Sequence, residues 1–148
     1  MPQDYEKADH WYRIAANQGY AKAQFNLGDL YESGLAGFPK DYAKAAHWYR
    51  LAVKQVKDLV GAEDGLYGIF NCLGDLYTKD GYGLPKNYVK AYKWLLLAKK
   101  SAIKAGILTM GPDSISAIDK KLNWLMLRMP HAQIVKAQQL AREWRPSQ

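Results

Sequence analysis

PKDYAKAAHW, at residues 39–48, occurs with small changes at two other places in the 148-residue chain. PQDYEKADHW occupies residues 2–11, and PKNYVKAYKW occupies residues 85–94. All three copies fit the pattern P-[QK]-[DN]-Y-x-K-A-x-x-W. Three copies of one ten-residue pattern indicate a repeat protein, in which each repeat is one supersecondary unit that packs on its neighbours.

Each copy of this pattern has the features of a helix start. Asp4, Asp41 and Asn87 favour the N-cap position, and a proline two residues earlier keeps the entering chain extended. Apolar residues then recur at the i, i+3, i+4 and i+7 positions of one helix face. In the middle copy these residues are Ala45, Trp48, Tyr49 and Ala52. The copies are therefore predicted to be the second helices of helical hairpins.

A second phrase, LGDLY, occurs at residues 27–31 and 73–77 and marks the first helices of these hairpins. Glycine inside a helix costs about 0.5–1 kcal/mol relative to alanine. Its recurrence at Gly28 and Gly74 predicts that a neighbouring helix approaches where a Cβ would clash.

The spacing between repeats is not constant. Trp48 follows Trp11 by 37 residues, whereas Trp94 follows Trp48 by 46 residues. The nine extra residues fall around 54–65, where they either lengthen a helix or form a loop. This insertion is either a functional segment or, with equal weight, a segment in which sequence changes are tolerated.

The last part of the chain lacks the repeated phrases but keeps helical periodicity. Asp113 or Ser114 is predicted to cap a helix, and Pro130 is predicted to start the last one. The apolar faces expected for these two helices are Ile115, Ile118, Leu122, Leu125 and Met126, followed by Ile134, Ala137, Ala141 and Trp144.

The net charge of +7 is concentrated at one end of the chain. Residues 86–148 carry twelve basic and three acidic side chains, whereas residues 1–39 carry three basic and five acidic ones. A basic end can attract nucleic acid, an acidic membrane surface or an acidic protein, and lysines can equally solvate the outer faces of helices. No arginine-rich run, RNA-binding aromatic motif or zinc-finger spacing accompanies the charge, so no nucleic-acid partner is expected. The apolar run at residues 95–98 is far too short for a transmembrane segment.

The histidines and the cysteine of the sequence match no catalytic or metal-binding motif. His10 and His47 share one repeat position, which is Lys93 in the third copy, and His131 has no cysteine or histidine at ligand spacing. The single cysteine, Cys72, can form no internal disulfide and is interpreted as a structural or partly buried thiol. We therefore predict no catalytic residue, no metal and no cofactor.

Together the phrases resemble the Sel1-like repeat family, a relative of the tetratricopeptide repeats. The first full unit matches the family pattern at Ala23, Leu27, Gly28, Tyr31, Gly34, Gly37, Asp41, Lys44, Ala45, Trp48 and Ala52. The second unit matches at eight of these positions and departs from the pattern with Ile69, Asp80 and Asn87. The resemblance covers about residues 2–105.

The resemblance implies an all-α fold, a right-handed α-α superhelix of about seven helices whose first helices line a concave surface. Residues 1–105 are assigned to Sel1-like repeats, and residues 106–148 to a C-terminal capping pair of helices in the same compact unit. Because residues 1–5 correspond to residues 38–42, the first repeat is predicted to be incomplete and to start at its second helix. The apolar stripe of that helix, at Ala8, Trp11 and Ala15, would then be exposed and could form a dimer contact.

The resemblance also implies a non-enzymatic scaffold or adaptor that binds a protein partner through its concave face. Family members are often bacterial and exported, and some act as immunity or regulatory proteins for a secreted effector. This favours the bacterial periplasm or cell envelope, with the cytoplasm as the alternative. Two other classes stay open: a small-ligand-binding or hydrolytic enzyme in the groove, and a basic nucleic-acid-binding repeat protein.

The residues predicted to contact the partner lie on the first helices. Asp29 and Asp75 occupy equivalent positions there, and such repeated carboxylates more typically bind lysine or cap a backbone group than act as an acid–base pair. The full predicted set is Phe25, Asp29, Glu32, Asn71, Asp75 and Thr78. A basic patch at Lys99, Lys100 and Lys104 is predicted to meet an acidic effector or envelope protein.

Overall fold

The structure, a computed structural model, describes residues 2–56, 62–106 and 112–145, and these residues form seven α-helices. In chain order the helices are α1 Pro2–Asn17, α2 Ala21–Ser33, α3 Tyr42–Val56, α4 Ala62–Tyr77, α5 Tyr88–Ala105, α6 Pro112–Met126 and α7 His131–Glu143. A short 3₁₀ turn, Leu35–Gly37, lies between α2 and α3. The predicted all-α fold with about seven helices is confirmed.

The helices pack mainly on their neighbours in the chain. α2 packs against α3 and α4 against α5 as hairpins, while α1 contacts α2, and α3 contacts α4. α5 also contacts both α6 and α7. One continuous core runs through all these contacts, and its largest fully buried side chains are Tyr31, Tyr49, Phe70, Leu27, Leu73, Leu76, Leu95, Ile118 and Leu125. Packing between successive hairpins is the arrangement expected of a helical repeat protein.

The two N-caps predicted for the second helices are confirmed at α3 and α5. The Asp41 carboxylate accepts a hydrogen bond from the Lys44 backbone N–H at 2.9 Å. The Asn87 side chain accepts the equivalent bond from the Lys90 backbone N–H at 3.0 Å. Each bond satisfies one of the backbone donors that a helix start leaves without an intrahelical partner.

The other predicted N-caps are wrong, because Asp4, Asp113 and Ser114 lie inside helices whose described residues begin at a proline. α1 starts at Pro2, so Asp4 lies inside the helix. α6 starts at Pro112, so Asp113 and Ser114 lie in its first turn. Proline suits the first helical position, since its φ is already helical and its missing N–H has no partner to lose there.

The helix-internal glycines allow close approach of the paired helices, as predicted. A Cβ added to Gly28 would lie 2.5 Å from Cε1 of Tyr49 on α3. A Cβ added to Gly74 would lie 2.6 Å from Cγ of Leu95 on α5. The two glycines therefore hold equivalent places in the two hairpins, each facing a large side chain of the following helix.

The C-terminal helices cover α5. Three residues of the predicted α6 face, Ile118, Leu122 and Leu125, are buried, but Met126 at the border of that face is 44% exposed. On α7 Ile134 and Ala137 are buried, whereas Lys136, Gln139 and Arg142 on its other side are exposed. The division of the chain at residue 105 stays a prediction.

The insertion around residues 54–65 lies partly outside the described residues. Its described parts extend helices: α3 continues to Val56 and α4 begins at Ala62. As a result α4 has 16 residues where α2 has 13. Residues 57–61 lie outside the described part, so the choice between helix and loop there is untested.

Candidate partner-binding surface

Glu32, one of the predicted contact residues, joins three elements of the structure. Its carboxylate accepts a hydrogen bond from the Tyr49 hydroxyl of α3 at 2.7 Å. It also forms an ion pair with Nζ of Lys79, which follows α4, at 2.9 Å. The charge of Glu32 is therefore balanced by a lysine that lies 47 residues further along the chain.

Asn71 and Asp75 on α4 share one lysine from α6. Nζ of Lys121 donates to the Asn71 side-chain oxygen at 3.0 Å and to the Asp75 carboxylate at 2.9 Å. Thr78 uses its hydroxyl locally, donating to the Asp75 backbone carbonyl at 2.6 Å. The prediction that these carboxylates bind lysine holds at Asp75. Because both partners of the ion pair are partly exposed, a pair of this kind contributes only about 0–1 kcal/mol and can exchange for a partner's groups at little cost.

Asp29 and Phe25 on α2 differ in how far they are available to a partner. Asp29 is exposed and makes no hydrogen bond or ion pair among the described residues. Phe25 is half-buried, and its ring packs at 5.5 Å from the Tyr49 ring. We use the name first-helix surface for Asp29 and Glu32 of α2 together with Asn71, Asp75 and Thr78 of α4. Phe25 lies at the inner edge of this surface and presents only part of its ring.

Cys72 lies on α4, next to Asn71 in the chain, and is partly buried. Burial, and then the charges of Glu32, Asp75 and Asp29, raise the pKa of the Cys72 thiol to about 12. The three carboxylates therefore lie close enough to act on this thiol, and the charge of Lys121 opposes them. Since only the thiolate is a good nucleophile, this cysteine is protonated and unreactive at neutral pH.

A cavity with a volume of about 320 Å³ adjoins the surface, between α4 and α6. Asp75 and Thr78 line it on one side, and Trp124 of α6 lines it on the other. The Trp124 side chain is 42% exposed, with the Arg128 guanidinium 3.8 Å from its ring centroid. Sequence reasoning missed Trp124, although its place outside the apolar stripe of α6 is the signal that could have found it.

The predicted basic patch lies on α5 and is not uniform. Lys99 forms an ion pair with Asp119 of α6 at 2.7 Å, so its charge is balanced within the fold. Lys100 and Lys104 are exposed, one turn apart on the same helix. Their role toward an acidic partner stays a prediction.

The apolar stripe predicted on α1 is only partly exposed. Trp11 is 68% exposed, whereas its counterparts Trp48 and Trp94 are buried. Ala8 and Ala15 are half-buried, and Ala8 packs against the core. Trp94 is covered by the helix that precedes it, while no described helix precedes α1. The dimer through this helix stays a prediction.

The described residues contain no group of three histidine, cysteine, aspartate or glutamate side chains placed to hold a metal ion. His10, His47 and His131 are exposed, and the first two rings pack edge-on against the tryptophans that follow them. No helix in the described ranges has the length and apolar content to cross a membrane.

The packed hairpins and the helix-internal glycines define a helical-repeat protein. The Sel1 repeat matches residues 1–20, 21–56 and 73–102, more than half of the chain, and the chain therefore belongs to the Sel1 repeat family. Sel1 repeats are helical solenoid repeats that generally mediate protein–protein interaction, and the family is typically a non-enzymatic scaffold. No curated protein matches this chain in sequence.

Proposed function

We propose that this chain is a non-enzymatic adaptor that binds a protein partner through its first-helix surface. The observation that supports the proposal is the row of polar side chains on α2 and α4, tied by exchangeable ion pairs and bordered by the Trp124 cavity. Rows of this kind on successive first helices offer a partner both polar specificity and an apolar anchor site. The cavity beside this surface is lined by Trp124, a partly exposed aromatic residue of the type most often found at the energetic centre of interfaces.

The chemistry of the surface indicates what the partner presents. Asp29 is an exposed carboxylate, and Glu32 and Asp75 are balanced only by lysines that are themselves partly exposed. A basic side chain of the partner can therefore pair with Asp29 or replace Lys79 beside Glu32. An apolar or aromatic side chain fits the cavity beside Trp124, where burial supplies the affinity.

The proposal predicts that Trp124→Ala greatly weakens partner binding. Truncating a central aromatic contact costs at least about 2 kcal/mol in a typical interface, which is roughly thirtyfold in Kd. The measurement is affinity capture from the source cell with the wild-type chain, followed by titration of the recovered protein against both forms. Trp11→Ala is the matched control, because Trp11 is also an exposed tryptophan but lies on α1. Loss of binding in Trp11→Ala, with Trp124→Ala unchanged, would contradict the proposal.

A second variant pair tests the carboxylates. Asp29→Ala combined with Asp75→Ala should weaken the same complex. Glu6→Ala, which removes an exposed carboxylate on α1, should leave binding unchanged.

The identity of the captured protein distinguishes the possible adaptor roles. A toxic enzyme that loses activity in the complex supports an immunity role, and an envelope protein supports a structural or regulatory adaptor.

A further inference from the structure

A second concave site lies away from the first-helix surface, between α3 and α5. It is a cleft with a volume of about 190 Å³. None of its described lining residues belongs to the first-helix surface. They are Arg50, Val53 and Lys54 of α3, Tyr77 of α4, Lys90, Lys93 and Trp94 of α5, and Trp144 after α7.

Four cationic side chains line this cleft, and no described carboxylate lines it with them. They are Arg50, Lys54, Lys90 and Lys93. Lys93 is half-buried, and burial, followed by the charges of Lys90 and Arg50, lowers the pKa of its amine. Like charges gathered around a partly desolvated amine are unfavourable unless a counter-charge joins them. The cleft is therefore built as a positive site whose counter-charge is not among the described residues.

The first repeat shows what the counter-charge of such a site looks like. There the Arg13 guanidinium donates to the Tyr31 hydroxyl at 3.2 Å and pairs with the Asp9 carboxylate at 2.8 Å. The Tyr31 hydroxyl in turn donates to Asp9 at 2.9 Å, and Nζ of Lys44 lies 5.2 Å from the Tyr31 ring centroid. One carboxylate thus completes a group of arginine, tyrosine and lysine.

The second repeat contains the same group without the carboxylate. The Arg50 guanidinium donates to the Tyr77 hydroxyl at 3.1 Å, and Nζ of Lys90 lies 5.4 Å from the Tyr77 ring centroid. The position equivalent to Asp9 is Ala46, which is buried. The equivalent residue of the third copy, Tyr92, is not acidic either, and that copy carries Lys93 where the two earlier copies carry histidine.

We propose that the cleft between α3 and α5 binds a carboxylate from outside the repeat, held by Arg50, Lys93 and the Tyr77 hydroxyl in the role that Asp9 has in the first repeat. The Arg50 guanidinium can donate to the carboxylate in the charge-assisted geometry that it already uses at the Tyr77 hydroxyl. Lys54 and Lys90 at the rim attract the anion.

The apolar wall of the cleft adds a second requirement. Trp94 is buried, Trp144 is half-buried, and their ring centroids lie 6.0 Å apart. These rings and Val53 give the carboxylate an apolar neighbour to pack on. The ligand class is therefore a carboxylate joined to an apolar or aromatic group, which either a small organic acid or an acidic side chain within a peptide supplies.

The experiment uses one probe for each source. 3-Phenylpropionate represents a free organic acid, and a capped peptide with one glutamate between two leucines represents a protein side chain. Binding is followed by calorimetry and by the Nζ resonance of Lys93, whose pKa should rise when the carboxylate occupies the cleft. Saturable one-to-one binding of either probe with that rise supports the site, and the tighter probe identifies the source.

Variants connect binding to the cleft. Loss of one charge-assisted hydrogen bond is worth roughly tenfold in Kd, so Arg50→Gln and Lys93→Gln should each weaken binding by about that factor. Arg13→Gln is the matched control, since Arg13 holds the equivalent position but is already paired with Asp9, and its Kd should equal that of the wild type. Equal affinity in all three variants, no change at Lys93, or tighter binding of inorganic phosphate than of both probes would overturn the proposal.

Discussion

Trp94→Ala is expected to lower the free energy of unfolding by about 3–5 kcal/mol, the typical cost of removing a large buried aromatic side chain. Trp94 is only 6% exposed. Its ring stacks on Phe70 at 5.6 Å and meets Trp144 edge-on at 6.0 Å. Removing the ring would leave a cavity where α4, α5 and the C-terminal residues meet.

The same repeat position supplies the control. Trp11 is 68% exposed, so Trp11→Ala should change the free energy of unfolding by no more than about 0.5 kcal/mol, as for other surface substitutions. Urea denaturation followed by circular dichroism measures both values. If Trp94→Ala does not fold, Trp94→Phe, which keeps most of the ring, should give a smaller but clear loss. Similar effects of the substitutions at positions 11 and 94 would show that the repeats do not pack as described.

Gly74→Ala is expected to destabilise the fold by about 1–3 kcal/mol, although alanine is the better helix former. The added Cβ would lie 2.6 Å from Cγ of Leu95 and 3.4 Å from the Ala91 carbonyl oxygen. Leu95 is fully buried, so its side chain has no free space to move into. The steric cost should exceed the gain in helix propensity, which is about 1 kcal/mol.

Gly68 on the same helix is the matched control for this substitution. A Cβ added there meets nothing within 4 Å. Gly68→Ala should therefore stabilise the protein by about 0.5–1 kcal/mol through helix propensity alone. If chemical denaturation shows a lower free energy of unfolding for Gly74→Ala and a higher one for Gly68→Ala, the close approach of α4 and α5 is confirmed. A gain in stability at both positions would contradict it.

The N-caps and the helix-internal glycines of the repeated phrases could be predicted from the sequence, because each depends on residues close together in the chain. Asp41 and Asn87 cap their helices through bonds to residues three positions on, and Gly28 and Gly74 signal helix contact by their unfavourable place in a helix. The wrong N-cap predictions near Pro2 and Pro112 also have a local cause. A proline and a polar residue one or two positions later are both typical of a helix start, and the polar residue was chosen.

The surface contacts could not be predicted in the same way. Lys121 reaches Asp75 across 46 residues, and Lys79 reaches Glu32 across 47. Such pairs depend on how one hairpin is rotated on the next, which no residue pattern encodes. The exchange of Asp9 for Ala46 was visible in the aligned copies. Its meaning required the structure, which places Arg50 beside Tyr77 and Lys93.

Hydrogen–deuterium exchange of the purified complex can show whether a protein partner binds the first-helix surface. We expect slower exchange, relative to the free chain, in the peptides that carry Asp29 and Glu32 on α2 and Asn71 to Thr78 on α4. Exchange in α7, whose outer face carries Lys136 and Arg142, should stay unchanged. Protection confined to α7 or to the second helices α3 and α5, with α2 and α4 unaffected, would show that the partner binds elsewhere.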